Sequence, residues 1–245
     1  MNRPMNRPQL LVIVFILIVS SFAFSQKKSV PSHDETKAEV PALNNFHEVI
    51  HKIWHTAWPA KNVVMLAGLA PDLRTFGDSL SKADLPGILH EKKSKWEEQV
   101  VTLQSLITEY QQASSPIDSQ KLLSVAERLH AQYEQLAGLV HPALKELGEF
   151  HSVLYMLYHT YLPDSSTENI SSSVKELKVK MKALNKAKLP ERMKNNEDAF
   201  LKARTKLSQS VDAAATALKS GDMKSIRASI EILHTDYQTL EKIFD

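Results

Sequence analysis

Apolar residues recur at spacings of three and four along the chain from about residue 43 onward, and the two-residue alternation of a half-buried strand is absent. That period predicts amphipathic helices throughout, a reading that scarce glycine supports. Phe46, Val49, Ile50, Ile53 and Ala57 mark the inward face of a first helix over about 44–58, closed by Pro59. A second helix is expected from Pro71 to about residue 83. A third opens at Pro86 and carries Trp96, Val100, Leu103, Ile107 and Tyr110. Asp118 is the expected N-cap of a fourth, carrying Leu122, Val125, Leu129, Tyr133 and Leu136. The longest internal loop is placed at 60–70.

After Pro142 the pattern starts again. Phe46, His47, Val49, His55, Thr56 and Pro59 recur as Phe150, His151, Val153, His159, Thr160 and Pro163. Leu85-Pro86 recurs as Leu189-Pro190. Asp118, Glu127, Leu129, His130, Tyr133 and Leu136 recur as Asp222, Glu231, Leu233, His234, Tyr237 and Leu240. The offset is 104 residues with no gap, and about a fifth of the aligned positions are identical. The second set of helices is expected over about 143–161, 173–187, 190–220 and 222–244, with Gly221-Asp222 as a stop followed by a cap. Four helices with short connections imply an up-down-up-down bundle. The expected fold is therefore all-α, two tandem four-helix bundles, over 43–141 and 142–245.

The N-terminus adds an address. Arg3 and Arg7 precede an apolar run from Leu10 to Phe24, and Ala23-Phe24-Ser25 provides small residues for cleavage before Gln26. Residues 1–25 read as a signal peptide, 26–42 as a flexible polar linker, and the destination as periplasmic or secreted. No membrane span is expected once the signal is removed. The chain has no cysteine, which excludes disulfides, thiolate metal sites and thioether-linked haem. Loss of Arg3 and Arg7 with the signal leaves 28 basic residues against 28 acidic ones. Such a balance gives no nucleic-acid footprint. Nucleophile motifs, phosphate-binding glycine loops and the His-Glu-x-x-His pattern are also absent, so a non-enzymatic protein is expected.

The candidate chemistry is histidine. His47, His51 and His55 line one stripe of the first helix at i, i+4 and i+8; the second copy keeps His151 and His159 around Tyr155. His130 and His234 sit on the fourth helices. If first and fourth helices are antiparallel neighbours, His55 lies level with His130 and His159 with His234. Imidazole without thiolate suits Zn²⁺, Cu²⁺ or Ni²⁺. The candidate metal ligands are thus His47, His55 and His130, with His151, His159 and His234 in the second copy. Glu127 and Glu231, three residues before His130 and His234, are candidate orienting carboxylates. Against this, a pitch of 100° per residue turns His55 about 150° from the centre of the apolar face.

Signal segment, four antiparallel helices, about 104 residues per unit and a histidine late in the fourth helix resemble cytochrome b562-type periplasmic bundles. In that family a methionine early in the first helix and the histidine of the fourth ligate haem. The resemblance implies His130 and His234 as haem ligands. The first copy has no methionine in its first helix, and Met156 of the second is matched by Lys52, so His47 or His55 would have to complete the pair. Three functions stand as alternatives: a metal-binding protein, a cofactor-free structural module with a cell-envelope protein partner, and a haem protein.

Overall fold

The computed structural model describes residues 33–244; the segment read as a signal peptide and the start of the expected linker lie outside the described residues. The described chain is all-helical. The first repeat contains α1 (Pro41–Lys52), a π-helical turn (Ile53–Ala57), α2 (Val63–Gly68), α3 (Ala70–Ser81), a 3₁₀ turn (Gly87–Lys92), α4 (Lys93–Ser114) and α5 (Ser119–Val140). The second contains α6 (Lys145–Met156), a π turn (Leu157–Tyr161), α7 (Thr167–Leu184), a 3₁₀ turn (Glu191–Asn196), α8 (Glu197–Ser220) and α9 (Met223–Glu241). No described helix is long and apolar enough to cross a membrane.

The offset of 104 seen in the residues governs the backbone too. Both π turns, both 3₁₀ turns and the starts of α4/α8 and α5/α9 coincide under it. So do two left-handed non-glycine residues, Lys61 (φ 49°) and Ser165 (φ 53°). Asp118 caps α5 by accepting from the Lys121 amide, and Asp222 caps α9 by accepting from those of Lys224 and Ser225, as expected. The span 60–70, expected as a loop, is helical instead: Asn62 caps α2 by accepting from the Met65 amide, and Leu66 is fully buried. Its counterpart is simply the first part of α7.

Each repeat buries its own apolar cluster. Phe46, Ile53, Leu103, Tyr110 and Leu129 belong to the first; Phe150, Leu157, Leu207, Leu233 and Tyr237 belong to the second. Helix α1 packs on α3 and α5, and α4 on α3 and α5. In the second repeat α6 packs on α7 and α9, and α8 on α7 and α9.

The two repeats meet where the first 3₁₀ turn and the segment before α1 lie against α6. The Gly87 amide donates to Glu35 (2.5 Å), Ser152 donates to the Thr36 carbonyl (3.3 Å), and Lys92 pairs with Glu241 (3.2 Å). The end of the expected linker is thus packed rather than free. Glycine is required at position 87, because a Cβ there would stand 1.9 Å from the Tyr155 hydroxyl. Gly87→Ala is expected to cost about 1–3 kcal/mol through this overlap. Tyr155→Phe in the same chain should return part of it, as read from urea midpoints.

Candidate metal centre

The π turns position the site. Each is closed by a bond spanning five residues, from the Trp58 amide to Ile53 O (2.8 Å) and from the Leu162 amide to Leu157 O (2.9 Å). A wide turn of this kind shifts the register of the residues after it, and such turns cluster at functional sites. Here it brings an aromatic ring and a histidine to the flank of the last helix of the repeat. Trp54 stacks on His130 (centroids 4.2 Å apart, 12°), and Tyr158 stacks on His234 (3.9 Å, 4°). Two turns earlier along the first helix of each repeat, His47 stacks on Tyr133 and His151 on Tyr237. The same ladder of rings is therefore built twice.

The two ladders differ in what covers them. In the second repeat the first repeat's 3₁₀ turn lies over the ladder and inserts Glu91. Glu91 Oε1 stands 3.1 Å from His234 Nε2 and 3.9 Å from His159 Nε2. One ligand atom from each of Glu91, His159 and His234 falls within 4.8 Å of the others, the one such trio among the described residues. The other Glu91 oxygen accepts from Gln238 Nε2 (2.9 Å), which fixes the carboxylate. His234 is buried, and its Nε2 is the one buried side-chain nitrogen or oxygen among the described residues with no hydrogen-bond partner. It faces Glu91 Oε1 at short range but out of hydrogen-bonding alignment.

Electrostatics reinforces this picture. The Glu91 carboxyl is held down at about 2, by its closeness to His234 first and by Gln238 after that, against the opposing effect of burial. It is an anion at any ordinary pH. A buried imidazole nitrogen and a carboxylate oxygen at 3.1 Å call for a proton or a cation between them. Tetrahedral Zn–N and Zn–O bonds of about 2.0–2.1 Å place ligand atoms about 3.3 Å apart, close to the 3.1 Å of Glu91 and His234 and shorter than the 3.9 Å of Glu91 and His159. Two imidazoles and one carboxylate fill three positions and leave a fourth for water.

Other expected ligands fall differently. His151 is buried under Tyr237 beside this trio, not in it. In the first repeat His47, His51 and His55 are exposed, and His130 is half-buried with Glu134 at 3.7 Å. The His130 pKa is lowered, by burial first and then by His55 and His47, with Glu134 opposing. The position matching Glu91 is Asn195, so the duplicated carboxylate is missing. Glu127 and Glu231 are both exposed; the carboxylates beside His130 and His234 are Glu134 and Glu91.

At His234 the ring nitrogen that would bind a haem iron faces Glu91 under the turn Gly87–Lys92, and Tyr158 stacks on the ring. No protein-family model, no curated protein and no solved structure matches the chain.

Burial pushes the His151 pKa down to about 3, with Glu91 opposing and Lys92, His234 and His159 adding to the fall. The unfolded chain takes up this proton near 6.5, and the folded chain only near 3. Stability should therefore drop as pH falls from about 6.5 toward about 3, by up to about 1.4 kcal/mol per unit. Between about pH 7 and pH 5 the parent is expected to lose about 1–2 kcal/mol more than His151→Phe in urea titrations.

Proposed function

We propose that the chain is an exported, non-enzymatic binding protein that holds one divalent transition ion, Zn²⁺ first among them, at Glu91, His159 and His234. The observation that carries this is the buried His234 Nε2, without an aligned hydrogen bond, 3.1 Å from an ionised carboxylate with a second imidazole alongside. The protein is read as a periplasmic or secreted pair of four-helix bundles, over 43–141 and 142–245, and the ion sits where they meet rather than once in each. Gln238 holds Glu91 in place, the role an outer partner plays in many metal sites. Cu²⁺ and Ni²⁺ suit the same nitrogen and oxygen donors, and rank by affinity in the usual order.

Calorimetric titration of the chain from Gln26 onward with Zn²⁺, Cu²⁺ and Ni²⁺ tests this. One tight equivalent is expected, with haem giving no Soret shift. Two equal equivalents would point to one site per repeat, and nothing tighter than millimolar would sink the metal reading. The second reading, a cofactor-free interaction module, rests on the exposed histidines and half-buried Trp54 on the first repeat.

A further inference from the structure

We propose that the ring-lined face of the first repeat receives the turn Glu191–Asn196 of a second copy of this chain, so that molecules join head to tail. The pattern for this contact already exists inside the molecule. The first repeat's turn Gly87–Lys92 packs on the second repeat's face, made by α6, its π turn and α9. The turn and the face of that pairing are each present again, whereas the segment before α1 and the Lys92–Glu241 pair have no counterpart, Asn196 and Ala137 standing at the latter two positions. The first repeat offers the same face, with His47, His51 and His55 exposed along it, and the second repeat offers the same turn, with Glu191, Arg192, Asn195 and Asn196 exposed. Repeating the step that carries the first repeat to the second brings the turn of one chain onto the face of the next.

Two pairs of side chains at this contact change together between the repeats. Inside the molecule Glu91 accepts from Gln238 (2.9 Å). At the outer contact Asn195 stands for Glu91 and Glu134 for Gln238, so the amide now donates and the carboxylate accepts. Inside, Gly87 has no side chain because Tyr155 fills the space. Outside, Glu191 stands for Gly87 and the smaller His51 for Tyr155, which returns the space to an acid facing an imidazole. Such an exchange of donor and acceptor occurs once already within the repeats. Trp58 Nε1 donates to Leu123 O (3.0 Å) in the first, and in the second the Arg227 guanidinium, at the position of Leu123, donates to Leu162 O (3.0 Å), at that of Trp58.

A face and a turn on opposite repeats form a heterologous contact, which continues into rings or filaments rather than stopping at an isologous pair. The contact is independent of the metal reading, since Asn195 replaces the carboxylate ligand.

Sedimentation of the chain from Gln26 onward, in buffer containing a chelator, tests it between about 10 μM and about 1 mM. The weight-average mass is expected to rise with concentration. Asn195→Asp sets two acids against each other and is expected to weaken association by at least about tenfold. Adding Glu134→Lys to that variant is expected to restore it, which a misfolded chain could not do. A monomer throughout the range, or association indifferent to Asn195→Asp, would overturn the proposal.

Discussion

Zinc affinity is expected to fall by more than about 100-fold in His234→Ala and in Glu91→Gln, and by about 10-fold in Gln238→Ala. The ligand substitutions remove one of three donors. The third variant only frees Glu91 from the partner that holds it. His47→Ala and His55→Ala, on the exposed face of the first repeat, should leave the affinity unchanged. Calorimetry checks each value, and thermal stability gives a second readout. An ion that binds only the folded chain adds about 2.7 kcal/mol at a free concentration of about 100 Kd, and this increment should vanish in His234→Ala. Equal losses in the first-repeat variants would instead place the ion on a different set of histidines.

Phe150→Ala is expected to cost about 3–5 kcal/mol. Phe150 is fully buried, stacks near Tyr237, and leaves a ring-sized void that helices α6 and α9 cannot close without moving. The apolar clusters of the two repeats are separate, so the loss should concentrate in one half of the molecule. Hydrogen exchange is the measurement: amides of α6 to α9 should exchange faster while those of α1, α4 and α5 keep their protection. Uniform loss along the chain would show one cooperative unit and would count against reading 43–141 and 142–245 as two domains. Phe46→Ala should produce the mirror-image pattern.

Much of the helical architecture is legible in the sequence. The inward positions Phe46, Val49, Ile50, Ile53 and Ala57 are all buried, as the spacing of three and four requires. Two features escape it. His55 is exposed, as a pitch of 100° per residue implies, but the π turn at Ile53–Ala57 that contains it is not foreseen. Nothing in the local residue types announces such a turn, because it depends on packing against α5. Glu91 escapes for a different reason. Identity between the repeats favours Glu127 and Glu231, which are exposed, and passes over a position that reads Glu in one repeat and Asn in the other. The ligand comes from the repeat that does not own the histidines. Sequence asymmetry at an otherwise matched turn is the available signal. The helix at Val63–Gly68 is hidden by Pro71, a good helix-starting residue that draws the expected boundary too late.

The matched π turns also bear on descent. A wide turn occupies corresponding places in both halves although most side chains around it have changed, Ile53 to Leu157 and Ala57 to Tyr161 among them. One offset relates both turns, with His55-Thr56 and His159-Thr160 kept inside them, so the backbone path with its extra residue is held in common where the neighbouring side chains differ, as a shared half-length origin would leave it.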